Sequence, residues 1–214
     1  MTVIAITSII LVAAVSLTLS FGKQNANNLA RQDRVDNVRQ VSVWLTDALT
    51  YSAPVPSSSD VPIVEVAQKD RLVFTSALPV AGATAHNVSR VSLVVSQACW
   101  PGGPAEAGVL RRCVQSPVVA ADGTQSFCDH GTTGCSDDLF DDFVVVRNVN
   151  DNDLFTYSLT GESAVYSDVT TLELRGRIKA VELSITVSGA SGSADEDIQA
   201  TVVRRHTLKG WREL

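Results

Sequence analysis

The chain has 214 residues, a formal net charge of −6 at pH 7, three histidines and four cysteines. Its two basic doublets, Arg111-Arg112 and Arg204-Arg205, are too few for a nucleic-acid-binding surface on an acidic protein, so we expect no nucleic-acid partner. The sequence contains no phosphate-binding glycine loop, metalloprotease helix or nucleophile elbow, and we therefore expect no catalytic residues and a protein that is not an enzyme.

The first 22 residues carry no charged side chain, and eleven of the nineteen from Val3 to Phe21 are Val, Ile, Leu or Phe. Nineteen helical residues span about 28 Å, close to the ~30 Å hydrocarbon core of a bilayer. The pattern predicts the transmembrane half of a helix over residues 1–22. The side chains expected to contact the membrane and to pack in assembly are Val3, Ile6, Ile10, Leu11, Val15, Leu19 and Phe21. A cleaved signal peptide is the alternative, but it would have a basic start and a shorter apolar run.

Residues 23–53 continue the helix with a different composition, because one apolar stripe runs along an otherwise polar surface. Gly22 and the asparagines after it have low helix propensity, which predicts a bend or local melting there. Pro54 and Pro56 end the helix. The stripe predicted to pack on a sheet comprises Val38, Val41, Leu45 and Leu49.

Residues 54–214 are predicted to form one β-rich domain, and a chain of this length is sufficient for a single core. The run 178–188 shows the cleanest alternation of apolar and polar side chains, and 198–206 follows it across a polar loop, which predicts an antiparallel hairpin. The other predicted strands are 62–67, 71–77, 88–97, 109–115, 143–149, 154–159 and 169–174. We expect one face of a mostly antiparallel sheet to cover the helix stripe.

Four cysteines without a thiol-catalytic motif indicate an oxidising compartment. Cys99, Cys113, Cys128 and Cys135 allow three pairings. We favour Cys99–Cys113, across a Pro-Gly-Gly-Pro loop, and Cys128–Cys135, across a short loop. The alternative is a metal site built from Cys128, His130, Cys135 and another cysteine, although the spacing fits neither paired zinc pattern.

No cofactor is expected from the sequence, although one acidic stretch has the ligand types that calcium prefers. The stretch 150–153 is dense in hard oxygen ligands, with Asp151 and Asp153 as the candidate ligands. It lacks the central Gly and terminal Glu of a calcium-binding loop, and a solvated turn rich in Asn and Asp is the simpler interpretation.

The order of these parts resembles type IV minor pilins and the pseudopilins of type II secretion. The apolar opening 1–12 is similar to the later part of a prepilin N-terminal segment, and 34–49 is similar to the helix of the J-type or W-type minor pseudopilins. Weaker similarities cover the strands at 70–74 and 177–187. The resemblance implies an α+β, pilin-like fold, with a long N-terminal helix packed on a mostly antiparallel β-sheet.

The sequence departs from the family at its start, because the basic leader, the cleavage position and the Phe-Thr-Leu-x-Glu motif are missing. We therefore expect that it begins inside the mature helix, and we assign no processing residue. The resemblance implies a structural subunit stored in the cell membrane by a single pass, with its C-terminal domain outside. Its implied partners are other pilin or pseudopilin subunits, an inner-membrane assembly platform and a prepilin peptidase. The alternative function is a membrane-tethered extracytoplasmic binding module outside any filament.

Overall fold

A computed structural model describes the backbone of residues 2–55, 62–77, 88–133, 135–149, 153–187 and 200–208. It describes the side chains of the same residues except 2–10, 12, 13, 34 and 200–206. One long helix comes first and antiparallel strands follow, as the sequence predicts. The protein therefore belongs to the α+β class.

Helix α1 runs from Thr2 to Thr50. It continues through Gly22, so the predicted weak point does not interrupt the helix. One glycine costs about 1 kcal/mol relative to alanine, which the helical turns on either side can offset. The Thr18 hydroxyl donates to the Ala14 carbonyl oxygen at 2.9 Å, a bond that satisfies a polar group within the apolar half. The helix ends at Thr50, four residues before Pro54, so the predicted end at residue 53 is three residues too late.

Five strands form the first sheet, in the order β1-β2-β3-β4-β7, and every neighbouring pair is antiparallel. The turn between β1 and β2 is held by mutual backbone hydrogen bonds between Gln68 and Arg71, of 2.9 and 3.3 Å. The strands are β1 (Val64–Ala67), β2 (Arg71–Ser76), β3 (Ser89–Val95), β4 (Val109–Gln115) and β7 (Phe140–Arg147).

Four strands form the second sheet, in the order β11-β10-β8-β9. The predicted antiparallel pairing of the last two strands is confirmed, with Val181 opposite His206. A separate two-stranded ribbon, β5 (Val118–Val119) with β6 (Gln125–Ser126), lies in the long segment between β4 and β7. The second sheet contains β8 (Phe155–Leu159), β9 (Val165–Tyr166), β10 (Ile178–Val187) and β11 (Ala200–Thr207).

One hydrophobic core unites α1 with both sheets. The helix contacts β7 of the first sheet and β10 and β11 of the second. Alternation along the strands directs one side chain in two toward this core. Its largest fully buried side chains include Leu45 and Leu49 from α1, Phe74 and Leu93 from the first sheet, and Phe155, Tyr157 and Leu183 from the second.

Two predictions about the domain are wrong. The strands do not form one sheet, since the described strands pair as two separate sheets and a small ribbon. The two sheets are linked by the isolated bridges Ala67–Val169 and Val149–Val187 and by a hydrogen bond of 3.0 Å from the Phe155 amide to the Lys69 carbonyl oxygen. The segment 169–174 is not a strand, because Leu172–Arg175 forms the short helix α2. The Thr171 hydroxyl accepts a hydrogen bond from the Leu174 amide at 3.3 Å and so caps that helix, a local bond that competes with strand pairing.

Within the described residues, no helix combines the length and the apolar character needed to cross a membrane. The transmembrane half predicted for residues 1–22 is therefore not confirmed. The side chains of Val3, Ile6 and Ile10 lie outside the described residues. The two disulfides indicate that the domain is extracytoplasmic, since such bonds persist in oxidising compartments.

Candidate functional site

The first candidate surface is the apolar part of α1, which we call the leading segment (residues 11–21). Its described Leu, Val and Phe side chains are 50 to 69 % exposed. They are Leu11, Val15, Leu17, Leu19 and Phe21. Among the described side chains of α1, the first buried one is Val38. The core of the domain therefore does not cover the leading segment, and its apolar area is available to another apolar surface.

The second half of the same helix is the part that holds the domain. The predicted stripe residues Val38, Val41, Leu45 and Leu49 are all at most 2 % exposed. Ala48 is also buried in this face, although a stripe defined by large apolar residues does not include it. One continuous helix thus has an uncovered apolar end and an end built into the core.

The predicted disulfide pairing is confirmed. Cys99 bonds to Cys113 and Cys128 bonds to Cys135, with Cα–Cα distances of 5.7 and 5.8 Å. The alternative metal site is wrong, because cysteine binds zinc as a thiolate and all four sulfurs are in S–S bonds. Cys99, Cys113 and Asp142 also lie close together, but they cannot form a metal site because the two cysteines are bonded to each other.

The second candidate surface is a groove of about 280 Å³ on the face of the first sheet opposite the helix, which we call the outer groove. Along β3, Val91, Leu93 and Val95 join the core, whereas Arg90 and Ser92 line the groove. This division follows from the alternation of side chains along a strand.

Three rings form one wall of the outer groove. Trp100 stacks on His130, with ring centroids 6.3 Å apart and an interplanar angle of 13°. Phe140 meets both rings edge to face, at 4.7 Å from Trp100 and 4.9 Å from His130. The disulfides position this wall, because Trp100 follows Cys99 and His130 lies within the Cys128–Cys135 loop.

The floor of the outer groove is a network centred on Arg90. Its Nε donates to Glu65 Oε1 at 3.0 Å, and its Nη2 lies 3.0 Å from Glu65 Oε2. Its Nη1 donates to Gln115 Oε1 at 3.2 Å, and Gln115 Nε2 donates to the Cys128 carbonyl at 2.5 Å. The guanidinium also lies 4.6 Å from the Phe127 ring centroid. Such bidentate pairs fix geometry, so this floor is preorganised.

The outer groove has the features of a binding surface. Ser92 and His130 both line it, but no hydrogen bond joins them within the described part of the chain. A nucleophilic serine needs a base within hydrogen-bond reach. Rings beside polar groups of fixed orientation are typical of ligand sites.

The calcium candidates lie apart from the outer groove. Asp151 is outside the described residues. Asp153 is exposed, adopts a left-handed φ of 47°, and has Oδ1 3.8 Å from Lys69 Nζ. Of the acidic residues after the second disulfide, Asp142 pairs with Arg111 at 3.0 Å and Asp137 Oδ1 lies 3.6 Å from His130 Nε2. Within the described residues, the carboxylates of Asp153 and Asp142 are thus directed to the cations of Lys69 and Arg111, and the Asp137 carboxylate is directed to the His130 ring.

Sequence reasoning did not find the outer groove. Its residues come from separate strands and from the disulfide loops, so no spacing along the chain brings them together. The one available indication was the position of Trp100 and His130 beside paired cysteines, because a disulfide holds its neighbours in place. A comparison with protein-family models and with curated proteins finds no match to this chain.

Proposed function

We propose that this chain is a non-enzymatic structural subunit of the minor pilin or pseudopilin type, which assembles through α1 into a type IV pilus or type II secretion pseudopilus. One observation carries the proposal: the same helix has an exposed apolar leading segment and a second half buried in the domain. Because the helix is continuous, the position of the leading segment in a filament would set the position of the domain.

The proposed mechanism exchanges one apolar environment for another. The membrane holds the uncharged first 22 residues before assembly, with the domain on the extracytoplasmic side. Assembly then packs the leading segment against the helices of other pilin or pseudopilin subunits. An inner-membrane platform and a prepilin peptidase are the further proposed partners. The folded domain decorates the filament, at its tip in the simplest arrangement.

A second function is favoured by the outer groove. A membrane-tethered extracytoplasmic binding module would use α1 only as an anchor and would act through the preorganised network around Arg90. This alternative needs no contact between helices of different subunits. The two functions therefore differ in whether the leading segment must pack against protein.

Filament fractions from cells that produce the protein distinguish the two functions. We expect an antibody against the domain to label filaments sheared from the cell surface. Leu19→Arg should abolish that labelling, because Leu19 is 69 % exposed in the leading segment and a charge there opposes packing between helices. Gln24→Arg is the matched control, since it adds the same charge to an exposed polar position of α1.

Labelling that persists with Leu19→Arg would contradict assembly through the leading segment. A protein found in the membrane fraction but never in sheared filaments would favour the tethered module instead. The amount of protein in whole cells is measured for each variant, so that degradation is separated from failed assembly.

A further inference from the structure

The outer groove contains one cation, Arg71, that has no partner among the described residues. Arg71 lines the groove from β2, and its Nε is shielded from solvent with no hydrogen-bond partner. Its guanidinium also forms no ion pair with any described residue. The neighbouring Arg90, by contrast, is paired with Glu65 and Gln115. Arginine stays charged at all ordinary pH values, and no carboxylate in the described part of the chain compensates this half-buried charge.

The strand register places Arg71 on the floor of the outer groove. Arg71 lies opposite Val94 and Val73 lies opposite Ser92 in the β2–β3 pair. Arg71, Val73 and Ser92 all line the groove, as expected for alternate residues on one face. A partly desolvated guanidinium forms its strongest contacts with a planar carboxylate, because two parallel N–H donors match two oxygens.

The other side chains of the outer groove indicate which kind of ligand would carry a carboxylate for Arg71. The stacked rings of Trp100 and His130 offer a flat aromatic surface. Asp129 is exposed at the rim, and its carboxylate accepts hydrogen bonds but repels a second anion nearby. Ser92 adds a hydroxyl that both donates and accepts. A ligand that meets all of these groups has one carboxylate, a ring and hydroxyl donors.

We propose that the outer groove binds an acidic saccharide unit, with the sugar carboxylate on Arg71, the sugar ring on the Trp100–His130 wall and sugar hydroxyls at Asp129 and Ser92. This site is separate from the leading segment, so the inference does not depend on filament assembly. It gives the exposed domain a ligand class of its own, in an extracytoplasmic setting where acidic polysaccharides are accessible.

The test is a titration of the full 214-residue chain in mild detergent, followed by the NMR signals of the Trp100 indole N–H and the Gln115 side-chain amide. The probes are D-glucuronate, its uncharged counterpart D-glucose, and N-acetylphenylalanine as a ring carboxylate of peptide type. We expect D-glucuronate to shift both signals. D-glucose should bind at least about tenfold more weakly, since it lacks the charge-assisted contact.

Arg71→Gln should weaken glucuronate binding by about tenfold or more, and Arg71→Lys should have an intermediate effect because it keeps the charge without the planar fork. Arg175→Gln is the matched control. Arg175 also has a shielded Nε without a partner, but it does not line the outer groove. Its substitution should leave glucuronate binding unchanged.

Three outcomes would overturn the proposal. Equal binding of glucose and glucuronate by the wild-type chain would show that the carboxylate is not recognised. Binding of N-acetylphenylalanine in preference to glucuronate would assign the groove to a peptide carboxylate. Absence of shifts with all three probes would show that the groove binds neither a saccharide nor a peptide-type carboxylate. The wild-type comparison stands even if a variant fails to fold.

Discussion

The Cζ atom of Arg112 on β4 lies 4.9 Å from the ring centroid of Trp44 on α1. It also lies 4.5 Å from the ring centroid of Phe143 on β7, so the guanidinium contacts two aromatic rings. Burial lowers the pKa of Arg112, and the nearby Asp141 carboxylate partly offsets this effect. The stack joins the long helix to the edge of the first sheet through a cation and two ring faces.

Arg112→Met should lower the free energy of unfolding by about 1–2 kcal/mol, because methionine keeps much of the apolar volume but removes the cation–π contacts. Chemical denaturation of the full chain in mild detergent measures the change. A double-mutant cycle with Trp44→Leu should give a coupling of at least about 0.5 kcal/mol. Additive effects of the two substitutions would mean that the stack contributes no energy of its own.

Leu45→Ala should cost about 2–5 kcal/mol of unfolding free energy, because Leu45 is fully buried where α1 meets the sheets and its truncation leaves a cavity. Val43→Ala is the control on the same helix. Val43 is 52 % exposed, so its truncation should change stability by less than about 0.5 kcal/mol. Similar losses for both variants would contradict the described orientation of the helix.

Removal of the Cys99–Cys113 bond by paired alanine substitutions should destabilise the protein more than removal of Cys128–Cys135. The sequence separations are 14 and 7 residues, for which loop entropy gives about 3 and about 2.5 kcal/mol. The first pair is also buried against Val94 and Trp100, so its loss leaves a packing defect. Thermal or chemical unfolding of the two double variants checks the order, and the reverse order would refute it.

Tyr157→Phe should make the protein less sensitive to alkaline pH. Burial of the Tyr157 phenol raises its pKa well above 10, and the carboxylates of Asp168 and Asp70 add to this effect. The unfolded chain loses this proton near its ordinary pKa of about 10, whereas the folded chain retains it. The contribution to stability is therefore complete below that pH and decreases as the pH rises above it.

The wild-type chain should thus lose up to about 1.4 kcal/mol per pH unit above pH 10 through this group, and Tyr157→Phe should lose correspondingly less. Near neutral pH the variant should be about 1 kcal/mol less stable, because the Tyr157 hydroxyl donates to the Gln68 carbonyl oxygen at 2.7 Å. Tyr51→Phe is the control, since Tyr51 is 54 % exposed. Parallel pH profiles for the wild type and Tyr157→Phe would contradict the buried phenol.

The strongly periodic strands were predicted from the sequence to within a few residues. Ile178–Val187 is an example, because buried and partly exposed side chains alternate along most of its length. The segment after Val169 was predicted wrongly, since Thr171 caps a short helix and four residues are too few for periodicity to separate a turn of helix from a strand. The strands β5, β6 and β9 have two residues each and carry no pattern.

The long helix and its buried stripe were predictable from the sequence alone, and the sequence favoured the observed disulfide pairing over two others, because each depends on residues close together along the chain. Tertiary structure alone decided that the strands form two sheets around one core and that Arg71, Trp100 and His130 line the same groove. These results depend on contacts between distant segments, whose choice is made by packing and register over the whole domain. Local pattern fixes which face of an element is apolar, but it does not specify which element covers that face.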